Sequence, residues 1–349
     1  MKAKAASINK FVLWGCLIPS SEHYNVRSYL WTLPKPYVIV FALSLGLILT
    51  WLMAAVRFST TQAAPQAPTA DVIYVDADAS GPTDGLTWST AYTTLQDGLD
   101  AAEAGDEVWV AEGVYTPTNT LDRSATFQLQ PGVALYGGFA ATETTRAQRD
   151  WEAHVTVLSG DLGGDDVTDD QGVVTDSANI VGHNAYHVVS ASSVSETAVL
   201  DGFTVTGGKA NGSFADGCGG GMYNDRNNTS PRVANVIFSG NHGSYGGGMH
   251  NAYLSSPTLV DVVFENNTAS YGAGLYNAQC SPLLVNVTFQ DNAAGIFGGG
   301  IYSFSGDLQL VNVTFSQNTS SNRGGGMYDS QNDSRLTNVT FSDNAADYS

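Results

Sequence analysis

Five carboxylates crowd into one glycine-rich stretch, SGDLGGDDVTDDQG, as Asp161, Asp165, Asp166, Asp169 and Asp170. Clustered oxygens suit a hard cation, which makes this loop a candidate Ca²⁺ site. It has neither EF-hand nor glycine-aspartate nonapeptide spacing, so a solvated acidic loop is the preferred reading. General acid–base work needs such carboxylates converging with a base on one face. After Val56 the chain has one lysine, Lys209, and eight arginines, and Arg226, Arg232, Arg323 and Arg335 are scattered near loops. His183, His187, His242 and His250 fall at turns or outward positions and read as surface residues, not ligands. No catalytic, cofactor-binding or metal-ligating residue is therefore assigned. The other chemically able group is aromatic: Tyr223, His250, Tyr276, Tyr302 and Tyr328 recur at nearly equal spacing. Such a column either stiffens a sheet by stacking or offers a platform to sugar rings or a partner.

What positions these residues is an internal repeat. Phe238, Phe264, Phe289, Phe315 and Phe341, each followed three residues later by Asn, are separated by 26, 25, 26 and 26 residues. Interleaved with them run Gly219-Gly-Gly-Met222-Tyr223, Gly246-Gly-Gly-Met249-His250, Gly272-Ala-Gly-Leu275-Tyr276, Gly298-Gly-Gly-Ile301-Tyr302 and Gly324-Gly-Gly-Met327-Tyr328. A fixed period in this range means stacked supersecondary units.

Ahead of each phenylalanine stands a run such as Leu284-Val-Asn286-Val287-Thr-Phe289. Val and Phe two apart share one face of a strand. The earlier Leu lies at an odd offset and comes inside only if the chain bends at the intervening Asx, a residue that tolerates left-handed backbone. The glycine motif supplies a third short strand, with Met, Leu or Ile inward and Tyr or His outward. Three strands and three corners in ~26 residues make one coil of a parallel β-helix, and equivalent asparagines should form amide ladders between coils. Helical repeats are opposed by the glycine and β-branched content, and a propeller blade needs ~40 residues.

Upstream the beat loosens. Leu200-Asp-Gly202-Phe203-Thr-Val205 has the strand motif with Gly in the Asn place, and short apolar runs occur at 186–190, 156–158, 133–136 and 108–110. Over 92–104, Leu95, Leu99 and Ala102 fall at helical spacing behind Ser89 or Thr90 as a candidate N-cap, predicting an amphipathic helix over the open end of the solenoid. About ten coils over residues 71–349 would stand some 50 Å tall. The last repeat ends five residues before Ser349, so a further segment or a partner is expected against the last coil.

Composition agrees. The 349 residues carry 38 glycines, only 13% charged residues and a net charge of −19, which suits a turn-rich β protein and opposes nucleic-acid binding. Residues 1–36 form a basic segment. Residues 37–56, YVIVFALSLGLILTWLMAAV, are long enough to cross a membrane and 57–70 are an Ala/Pro-rich linker. Charge is +4 over residues 1–56 and −23 beyond, so the basic flank stays cytoplasmic and the remainder is exported. The apolar segment is either a signal sequence cleaved near Thr61-Gln62-Ala63 or an uncleaved anchor. Cys16, Cys218 and Cys280 are too few for a disulfide scaffold.

The alternation of Phe-x-x-Asn with Gly-Gly-[Ala/Gly]-[Ile/Leu/Met] over about 200–344 resembles the repeat of the chlamydial polymorphic outer membrane proteins. The stretch Tyr74–Tyr115, with Gly105-Asp106-x-Val-x-Val and Gly113-Val-Tyr115, looks like the opening of right-handed parallel β-helix proteins of the pectin-lyase-like superfamily. That resemblance implies an all-β, right-handed solenoid and an exported or surface protein that adheres or supports structure, with surface glycans or other proteins as partners. It also implies an alternative, a polysaccharide lyase or glycoside hydrolase. Lyases of this fold combine acidic calcium ligands with a Lys or Arg base, and hydrolases use a trio of Asp with a nearby His. No repeated Asp column here is matched by such a base, so a non-catalytic module is the expectation.

Overall fold

A computed structural model describes residues 70–225, 228–331 and 333–348. The basic segment, the apolar run 37–56, the linker to residue 69 and Arg226 lie outside the described residues. From Val72 onward the chain winds as a right-handed parallel β-helix. Nine strands, opening at Val72, Glu107, Ala134, Val199, Arg232, Thr258, Leu283, Gln309 and Arg335, stack in one sheet with every pairing parallel. Nine rungs at the inter-strand spacing make a stack of about 40 Å, one coil fewer than the repeat length predicts, because 140–182 makes long excursions between strands.

The corners form as the sequence dictates. Asn235, Asp261, Asn286, Asn312 and Asn338 all have left-handed backbone, φ between 50° and 56°, and Gly202 takes their place at φ 85°. This kink returns both flanking apolar columns to the interior: Val233, Leu259, Leu284 and Leu310 on one side, Val236, Val262, Val287 and Val313 on the other, all buried. The phenylalanines stack ring on ring, Phe238–Phe264–Phe289–Phe315–Phe341, with centroids 4.7–4.9 Å apart and planes within 8°. Phe238, Phe264, Phe289 and Phe315 are wholly buried, each burial worth about 1.5–3 kcal/mol, whereas Phe341 is 49% exposed.

The second corner is turned by the residue before the repeated asparagine, at Asn266, Asp291, Gln317 and Asp343. The asparagine itself goes inward. Asn267 Nδ2 donates to Asn292 Oδ1 at 3.0 Å and to the Phe238 carbonyl at 2.8 Å, and its own backbone N–H also reaches Asn292 Oδ1. Asn241, Asn292 and Asn318 repeat the pattern, so polar groups at a buried corner are satisfied coil to coil.

In each glycine triplet the first residue is left-handed, φ 70° at Gly246. The third lies against the next coil: a Cβ on Gly248 would sit 2.7 Å from both the Gly274 carbonyl oxygen and the Phe264 ring.

At the N-terminal end a short helix, α1 (Leu95–Ala101), lays Leu95 and Leu99 against strands Val72–Val75 and Glu107–Ala111. Its N-cap is Thr94, whose hydroxyl accepts from Asp97 N, not Ser89 or Thr90. Those two belong to a 3₁₀ turn (Trp88–Thr90), after which Tyr92 bridges to Val75 and restarts the chain in extended form.

Candidate functional site

The recurring aromatics form a continuous stack, longer than the sequence suggests. His187, Tyr223, His250, Tyr276, Tyr302 and Tyr328 lie face to face, with centroids 4.9–5.5 Å apart. His250 is only 8% exposed, and burial pushes His187 below the ordinary imidazole range, against the opposing pull of its contact with the Gly219 carbonyl. Reading His187 and His250 as surface residues is therefore corrected: both are members of the stack. His242 is half-buried, with Nδ1 3.0 Å from Thr268 Oγ1, and burial lowers its pKa as well. Burial likewise raises the phenol of Tyr276 and, less strongly, that of Tyr302.

A second stack interlocks with the first. Tyr245, Tyr271 and Phe297 immediately precede their glycine triplets and pile up coil on coil, at 5.3 Å and 6.0 Å. Tyr245 and Tyr271 meet the first stack edge-on at Tyr276 and Tyr302, and Phe297 lies over Tyr328 at 4.7 Å. The sequence signal was an aromatic residue one position ahead of three consecutive triplets. Because ring faces in the first stack are occupied by neighbouring rings, that stack offers mainly edges to solvent and acts first as a brace.

The second stack starts only at Tyr245. One coil earlier its place is held by Cys218, bridged to Tyr245 in parallel register. The smaller side chain leaves a hollow of about 570 Å³, with Tyr223, His250 and Tyr276 among its lining, Tyr245 and Tyr253 beside them, and Asp225 supplying a carboxylate. At its lip Phe214 is 96% exposed and held at φ 56°, a conformation that costs a non-glycine residue about 1–2 kcal/mol. Tyr253 is exposed as well.

The acidic loop divides. Asp161, Asp165 and Asp166 bring carboxylate oxygens within 4.8 Å of one another. Asp161 accepts from the backbone N–H groups of Gly163, Gly164, Asp165 and Asp166. Burial, with Asp161 and Asp165 beside it, raises Asp166 to about 6. Asp169 goes elsewhere, accepting from Gln171 and Val173 and lining a separate hollow of about 430 Å³ with Trp151, Glu152 and Glu265. No Lys, Arg or His lines that hollow among the described residues. Asp170 is exposed. Lys209 lies near the acidic cluster: its Nζ donates to the Ile180 carbonyl at 3.4 Å, while the N–H of the same peptide, from Val181, donates to Asp166 Oδ1 at 2.6 Å.

Among curated proteins none matches the chain. A crystal structure of the pectate lyase Pel9A aligns over 78% of each chain at 11% identity, with a TM-score of 0.41. Residues 286–303, an Asn-Val-Thr-Phe strand with the corner and glycine triplet that follow it, match the family model for the Chlamydia polymorphic membrane protein repeat, so the chain carries that repeat within its parallel β-helix.

Proposed function

We propose that this chain is an exported, surface-displayed β-helical binding module that takes uncharged carbohydrate in the groove beside Cys218. The carrying observation is Phe214, a large apolar ring standing almost wholly in solvent at the lip of a hollow lined by aromatic rings and Asp225. Sugars present apolar faces and a rim of hydroxyls, which suits a concave aromatic site with a few polar groups. The charge of −23 beyond residue 56 disfavours acidic polymers. The polymorphic membrane protein repeat supports a surface location, as does the basic-then-apolar N-terminal sequence.

The test is a panel of immobilised neutral and acidic glycans probed with the intact chain, wild type and Phe214→Ala. Retention on neutral glycans that falls at least tenfold in the variant supports the reading; equal retention by both, or none, refutes it. Tyr276→Ala should instead lower stability, since that ring braces the stack.

A second reading, eliminative cleavage of an acidic polysaccharide, draws on the single peptide that joins Asp166 to Lys209. It predicts release of unsaturated products, read by ultraviolet absorbance, from a uronic-acid polymer in the presence of Ca²⁺, and loss of that activity in Lys209→Ala.

A further inference from the structure

We propose that the hollow of about 430 Å³ lined by Trp151, Glu152, Asp169 and Glu265 binds a linear polyamine, a chain of ammonium groups joined by methylenes. Its walls are fixed parts of the fold. On one side Asp150 Oδ1 accepts from the backbone N–H groups of Glu152 and Ala153, and Asp150 N donates to the Gly138 carbonyl, which seats the turn carrying Trp151 and Glu152. Gly138 permits this with φ 92°, since a Cβ there would lie 2.6 Å from Trp151 Cα. On the other side Asp169 Oδ1 accepts from Gln171 and Val173. The next residue, Val174, is clipped down: its N–H donates to Thr206 Oγ1 and its carbonyl accepts from Ser239 Oγ. Those two belong to the parallel strands Thr204–Thr206 and Ile237–Ser239, and Glu265 ends the next strand of the same sheet, Val263–Glu265.

The charge in this hollow has one sign and no counterpart. Among the described residues the side chains of Glu152 and Glu265 make no hydrogen bond or ion pair. The basic groups nearest in sequence to Trp151 are already taken, Arg149 by Asp201 at 2.6 Å and His154 by Glu112 at 2.9 Å. A cation is therefore the complementary ligand, and the net charge of −19 draws cations toward the chain. A single metal ion does not fit. Its ligand atoms must converge, and among the described residues only Asp161, Asp165 and Asp166 bring three carboxylates within 4.8 Å of one another. The carboxylates of the hollow come from three separate elements and stand further apart, which calls for a cation with its charges spaced along its length. Val155, Phe203 and Ile237 supply apolar lining for the methylenes between those charges. The Trp151 indole, stacked on no other ring and on no guanidinium among the described residues, adds a face that attracts an ammonium group. The hollow shares no lining residue with the groove beside Cys218, so the two sites are tested independently.

The intact chain is titrated by calorimetry with spermidine, with butylamine and with MgCl₂ in about 0.15 M salt, where charges more than ~8 Å apart are largely screened. Spermidine should bind once per chain, and at least about tenfold more tightly than butylamine, which carries a single charge. Glu152→Gln and Glu265→Gln remove carboxylates that the fold does not use, so the double variant should keep its circular dichroism spectrum. Its affinity for spermidine should fall by at least about tenfold. Asp165→Asn, in the other acidic loop, and Phe214→Ala, in the groove, should leave that affinity unchanged. No saturation by about 1 mM spermidine, equal affinity for butylamine, displacement of spermidine by equimolar Mg²⁺, or unchanged affinity in the double variant would each overturn the assignment.

Discussion

Cys218 and Tyr245 are register partners on adjacent coils, yet one is a small thiol and the other the first ring of an aromatic stack. The groove exists because of that mismatch. Replacing Cys218 with Tyr should carry the second stack one coil further and fill the hollow. An added aromatic pair contributes about 0.5–1.5 kcal/mol, so Cys218→Tyr should unfold at the same or a slightly higher denaturant concentration than wild type. Marked destabilisation would show that the hollow is not shaped for a ring.

The asparagine ladder makes a sharper demand. Asn292 Nδ2 serves the Phe264 carbonyl and Asn318 Oδ1, while its Oδ1 receives two donors from Asn267. Asn292→Ala strands these groups in the interior and should cost about 3 kcal/mol by denaturant unfolding. Asn292→Asp should cost more than the alanine variant, because a carboxylate cannot donate to either acceptor and is itself buried. An aspartate variant as stable as wild type would contradict the ladder.

Interior packing can be read at three positions on neighbouring coils. Phe289→Ala should lose about 4 kcal/mol and Phe289→Leu considerably less. Gly248→Ala should also destabilise strongly, since its methyl meets the Gly274 carbonyl and the Phe264 ring. Ala273→Gly, at the middle position where this repeat already tolerates a methyl, should cost no more than about 1 kcal/mol. Equilibrium unfolding of the three sites decides the ranking, and a Gly248→Ala variant of wild-type stability would refute the close approach.

Acid should loosen the stack from its His187 end. Burial holds the folded His187 below its ordinary value of 6.5, with the Gly219 carbonyl and Asp216 opposing. The unfolded chain therefore binds the proton more readily, so stability is full above about pH 6.5 and declines as pH falls below it. His187→Tyr continues the stack without titrating there. The slope of unfolding free energy against pH between 6.5 and 5 should be shallower in that variant, and an unchanged slope would contradict the assignment.

Much of this was legible because the interior imposes it. Phe289 and Asn286 recur since each coil meets an identical neighbour, and the bend at Asx was deducible from the odd offset of Leu284 alone. His187 escaped the same logic: it stands 36 residues before Tyr223, not 26, because the coil between them carries the outward excursion around Phe214–Gly217. A period count therefore passes over it, and an aromatic that lies face to face with its neighbours looks outward when only strand alternation is considered. Tyr245, Tyr271 and Phe297 kept the period but preceded glycines, where the turn rather than the strand sets side-chain direction. Thr94 was missed as a cap because Tyr92 first pairs with Val75, a tertiary bond that delays the helix. The groove could not be read at all, since it is made by a side chain being smaller than its register partners.

The account rests most directly on whether that groove holds sugar. Calorimetric titration of the neutral oligosaccharide best retained in the glycan panel should show saturable binding to the intact wild-type chain. The same titration of Cys218→Tyr, folded but with its hollow filled, should show binding reduced at least tenfold. Equal affinity in the two proteins would contradict the account.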